Sequence, residues 1–112
     1  MSRARSKARE RAVQAIYQWQ ISGDSLSDIE QQFSEDQDMS KVKLDYFEEL
    51  LHEVPARLSG IDEALGELID RPLDQVDPVE RAILRIGTYE LMQRQDIPYR
   101  VVINEGVELA KS

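Results

Sequence analysis

Cysteine is absent from this 112-residue chain, so neither a disulfide framework nor a thiolate metal site can be built from it. Histidine occurs once, as His52, and a lone histidine on a helical surface is a poor foundation for acid–base catalysis. The five glycines are scattered and form no phosphate-cradling loop. No apolar run approaches the ~20 residues of a membrane span, and the start lacks the hydrophobic stretch of a signal peptide. No spacing of His, Asp and Glu suggests a metal ligand set. These absences predict a cytoplasmic, non-enzymatic domain with no metal, cofactor or membrane contact. At 41% hydrophobic and 32% charged residues, the chain has the composition of one globular domain.

What the chain has instead is an uneven charge distribution. Five of its fourteen basic residues, Arg3, Arg5, Lys7, Arg9 and Arg11, lie in the first eleven positions, with Glu10 the only acid among them. That segment carries about +4; since the whole chain carries −8, the remainder carries about −12. A short basic arm on an acidic body is a footprint of local nucleic-acid contact, and these five residues are the candidates. A solubilising terminus is the competing reading. Cations at a helix start oppose the macrodipole, which suggests a partner, but charge alone leaves the two readings even.

The apolar pattern is helical throughout, with no alternating strand run. Ser6 is a candidate N-cap for a first helix that stops at Gly23. Ala8, Ala12, Ala15, Ile16 and Trp19 form its inner face, opposite Arg3, Lys7, Arg11, Gln14 and Gln18. Ser27 and Glu30 fit a capping box for a second helix, followed by a polar loop over 34–40. Leu44, Phe47, Leu51, Val54 and Leu58 mark a third, which Pro55 should break. Apolar spacing resumes at Ile61, Leu65, Leu68 and Ile69 and ends before Pro72.

Asp77-Pro78-Val79-Glu80 is the clearest helix start in the chain. The following helix places Val79, Ala82, Ile83 and Ile86 on one face and Leu84 and Leu91 on another, predicting burial on both sides. Gly87 suits a close helix crossing. Glu90 falls on the first stripe, so it must find donors, either backbone amides of the last helix or a nearby tyrosine. Pro98 opens that last helix, with Tyr99, Val102, Ile103, Gly106, Leu109 and Ala110 inward.

Three blocks of this sequence are RERAVQAIYQWQ at residues 9–20, VERAILRIGTYEL at residues 79–91 and IPYRVVINEGVELAK at residues 97–111. Together they resemble the NusB family of bacterial antitermination factors. They stand in the family's order and spacing, and the resemblance spans essentially the whole chain. It implies an all-α fold of two small packed helical bundles, residues 1–71 and 72–112, without enzymatic activity. It also implies a heterodimer with NusE, a ribosomal small-subunit protein, binding to single-stranded boxA RNA, and a place in the RNA polymerase antitermination complex.

On that resemblance Arg3, Arg5, Lys7 and Arg9 match the RNA-contacting arm, and Tyr17, Asp74 and Glu80 match positions used towards NusE. From the residues alone the structural readings are favoured, Tyr17 as core rim and Glu80 as part of a cap. Position 74 holds aspartate where relatives carry the longer glutamate. Family members also continue past Lys111-Ser112 through a phenylalanine-glycine turn into another helix, so parts of the last two helices are expected to be uncovered here. Two other functions fit: an RNA-delivery appendage of an RNA methyltransferase, and a helical protein-interaction adaptor with no RNA role.

Overall fold

The computed structural model describes residues 3–111, which form six α-helices and a short 3-10 turn. The helices are α1 (Arg3–Ser22), α2 (Leu26–Asp36), α3 (Leu44–Ala56), α4 (Leu58–Gly66), α5 (Pro78–Gln93) and α6 (Tyr99–Lys111), with the turn at Leu73–Gln75. Ser112 lies outside the described residues. No strand occurs among the described residues, and no helix is long and apolar enough to cross a membrane.

Helix α1 is central. It packs against α2, α3 and α5, while α5 also packs against α3, α4 and α6. Ala8, Ala12 and Ala15 are fully buried, and their small side chains let the neighbouring helices come close. Around them Ile16, Ile29, Phe47, Leu50, Leu51, Val54, Ile61 and Ile86 complete the apolar core. Gly23 ends α1 with φ 72°, a conformation that costs glycine little, and its amide bonds the Trp19 carbonyl at 3.0 Å.

Several local expectations shift. Helix α1 already runs from Arg3, so Ser6 lies inside it and donates its hydroxyl to Glu105 at 2.6 Å instead of capping. The cap of α2 is Ser25, whose hydroxyl accepts from the Asp28 amide at 3.1 Å, and α2 continues to Asp36 into the expected loop. The break near Pro55 occurs at Arg57, between α3 and α4. Helix α4 stops at Gly66, so Leu68 lies in a turn and is 83% exposed rather than inward. Leu44 is exposed because it opens the first turn of α3, beyond the core edge.

The start of α5 is as expected: Asp77 Oδ2 accepts from the amides of Val79 at 3.0 Å and Glu80 at 3.1 Å. Its second face is not buried. Leu84 and Leu91 are exposed, as are Val79, Tyr99 and Ile103, so α5 is covered on one side only. Leu84, Leu91 and Ile103 join Leu68, Ile69 and Val107 in lining an open apolar groove of ≈ 610 Å³. A side chain at Gly87 would meet Val102 at an ordinary 3.8 Å, so the α5–α6 crossing does not demand glycine there.

Candidate nucleic-acid and protein interface

Arg3, Lys7 and Arg11 recur every fourth residue and so share one face of α1. They line a cleft of ≈ 360 Å³ whose other wall is the α2–α3 loop, represented by Asp38, Lys41 and Val42. Lys7 pairs with Glu10 at 3.3 Å, and Arg11 donates to the Asp38 carbonyl at 3.4 Å.

Arg9 departs from the rest of the arm: it points inward, only 1% exposed, away from any surface an RNA could reach. Its Nε donates to both Glu90 oxygens at 3.2 and 2.9 Å, and Nη2 lies within ion-pair distance of Oε2 at 2.9 Å without hydrogen-bond alignment. Nη1 donates to Glu105 at 2.8 Å. The cause is helical phase: Arg9 stands three, four and seven residues before Ala12, Val13 and Ile16, all buried. That periodicity is present in the sequence, but grouping by charge hides it. Burial alone would lower the Arg9 pKa; the hydrogen bonds and charge of Glu90, with Glu105, outweigh it and raise it.

Glu90 has the donors it requires, since the Tyr46 hydroxyl also donates to it. Tyr46 is a hub that sequence reasoning passes over. The guanidinium carbons of Arg5, Arg9 and Arg94 lie 5.3, 5.6 and 5.1 Å from its ring centre. Arg94 is held by Glu49 at 2.8 Å and Asp96 at 3.0 Å, and its bond to Asp96 keeps that carboxyl below its ordinary range. Burial, then the bond to Glu90, pushes the Tyr46 phenol well above its ordinary value. Arg5 is therefore at the edge of the internal cluster, whereas Arg3, Lys7 and Arg11 face the cleft.

A second polar clamp holds the far end of α1. Arg85 grips Asp62 through Nε at 3.0 Å and Nη2 at 2.9 Å, and its Nη1 donates to Gln20 at 2.8 Å. Gln20 in turn donates to the Pro78 carbonyl at 2.8 Å, fixing the end of α1 beside the start of α5. Tyr17 is 39% exposed on α1, with exposed Ile21 one turn on. Glu80 is exposed in the first turn of α5, and Asp74 is exposed in the 3-10 turn. Among the described residues no side-chain hydrogen bond or ion pair joins Tyr17, Asp74 and Glu80. Val79, expected on the inner stripe, is exposed because the core does not reach the first turn of α5.

The described residues thus form an all-helical domain whose first helix turns a basic face to an open cleft. Residues 6–112 match the NusB family. The chain is 54% identical to the transcription antitermination protein NusB of Shewanella pealeana over 108 residues, 96% of this chain and 80% of that protein. It is 55% identical to the protein of that name from Idiomarina loihiensis, over 97% of this chain and 78% of the relative. The chain belongs to the NusB family, and those relatives carry the name of transcription antitermination proteins, not of enzymes.

Proposed function

We propose that this chain acts in transcription antitermination as an RNA-binding subunit that pairs with NusE and holds single-stranded boxA RNA. The observation that carries the reading is the basic face of α1, with Arg3, Lys7 and Arg11 turned to one open cleft, in a chain of this family. Arg5 adds charge beside it. Phosphate contacts of this kind supply affinity, and sequence preference requires base contacts or a partner. On the protein side Tyr17, Asp74 and Glu80 would meet NusE, with Ile21 and Val79 adding apolar area. The acidic remainder of the chain suits a basic ribosomal protein.

Titrating boxA and scrambled single-stranded RNA, with and without NusE, tests this. Tighter binding of boxA in the presence of NusE is expected. Replacing Arg3 and Lys7 by alanine should reduce the log–log salt dependence by about 0.7 for each phosphate no longer neutralised. Equal binding of both oligonucleotides whether or not NusE is present would refute it.

A further inference from the structure

The α2–α3 loop is fixed against the arm. The Lys43 amide donates to the Ala4 carbonyl at 3.0 Å, the Val42 amide to the Met39 carbonyl at 3.1 Å, and Val42 is buried. Ser40 donates to Asp38 Oδ1 from its amide at 3.0 Å and its hydroxyl at 2.7 Å. The cleft between this loop and α1 is thus a built feature, with Arg3, Lys7, Arg11 and Lys41 around the single acid Asp38. Against these four cations stand only Asp38 and, paired with Lys7, Glu10, so the cleft keeps a net positive charge that an anion would balance. Lys41 has no ion pair among the described residues, and Arg11 Nε is shielded from solvent without a hydrogen-bond partner there.

We infer that this cleft seats a backbone phosphate of single-stranded RNA, with Lys41 supplying a cation from outside the arm. The inference rests on the RNA-binding reading above. It extends the RNA path from α1 onto the α2–α3 loop, where Asp38 limits the affinity by opposing the phosphate.

Anisotropy titrations of a single-stranded RNA oligonucleotide over a salt series test it with four variants. Lys41→Ala should weaken binding several-fold and lower the salt slope by about 0.7, the value for a single phosphate. Asp38→Asn, which can still accept from Ser40, should tighten binding. Lys43→Ala, whose ammonium pairs with Asp45 at 3.4 Å outside the cleft, should bind as the parent chain does. The paired change Arg3→Ala with Lys7→Ala reports on the arm itself. Parent-like affinity and slope for Lys41→Ala, while the arm variant weakens, overturns the cleft and leaves the RNA reading standing. An equal weakening by Lys43→Ala and Lys41→Ala also overturns the cleft, because only diffuse charge would then be at work. A parent chain that binds no RNA overturns both.

Discussion

Arg9 on α1 and Glu90 on α5 form a buried ion pair across 81 positions of sequence, with Nε 2.9 Å from Oε2. Both side chains are almost wholly enclosed, at 1% and 2% exposure. Two charges withdrawn from water are tolerated here because both have further partners: Glu105 takes Nη1 of Arg9, Tyr46 donates to Glu90, and only Nη2 of Arg9 is left with charge attraction alone. The pair locks the N-terminal half of α1 to the last turn of α5, and so orients the basic face next to it.

Breaking one side of this pair should be far more damaging than removing both. Arg9→Met strands a buried carboxylate, and urea unfolding should show a loss of about 3–5 kcal/mol. Combining Arg9→Met with Glu90→Leu should recover a substantial part of it. Strictly additive losses would show that the two side chains act independently.

Alkaline stability should report on Tyr46 and Tyr89. Burial and then a carboxylate neighbour, Glu90 for Tyr46 and Glu49 for Tyr89, hold both phenols above their ordinary value. An unfolded tyrosine ionises near pH ~10, so above that pH the folded chain binds more protons than the unfolded one. Their contribution is complete below about pH 10 and declines as pH rises beyond it, by up to about 1.4 kcal/mol per pH unit for each group. Tyr89→Phe should flatten the decline in denaturant melts taken across this range. An unchanged alkaline slope would contradict the assignment.

On the proposed pairing with NusE, variants of Glu80 should separate partner binding from helix capping. Glu80→Lys should strongly weaken association with NusE in calorimetric titrations, and Glu80→Gln should weaken it less. Because Asp77 supplies the side-chain cap, thermal melts of both variants should stay close to the parent. A matching collapse of melting temperature and binding would mean that Glu80 serves the fold.

The exposed side of α5 and α6 should be indifferent to polarity where the inner side is not. Leu91→Gln and Ile103→Gln lie in the open groove and should change stability by no more than about 0.5 kcal/mol. Val102→Ala, on the buried side, should cost about 1–3 kcal/mol. The same glutamine changes should lower self-association in light scattering, since they break an apolar surface. A large stability loss in either glutamine variant would show that this face is covered in solution.

Much of the fold is legible in the sequence because it is local. The Asp77-Pro78 start, the Gly23 stop, the break after Pro55 and the alanine face of α1 each depend on a few neighbouring residues. Glu90 is legible for a related reason, since an acid on an apolar stripe requires donors, and a tyrosine is one of those expected. The arm is legible as charge. The inward turn of Arg9 is not, because density of charge says nothing of direction; its phase relative to Ala12 and Ile16 does.

The sequence by itself determined helix type, approximate boundaries and the concentration of cations at one end, since these follow from periodicity, caps and composition. Only the tertiary structure decided which cations face outward. Arg9, Arg85 and Arg94 are consumed by carboxylates 81, 23 and 45 positions away, and no local rule pairs residues so distant. It also decided that Lys41, thirty positions from Arg11, shares a cleft with it, because helix packing and the Lys43–Ala4 bond bring the α2–α3 loop against α1. Burial and long-range ion pairing are properties of packed helices, and they exist only once the chain has folded.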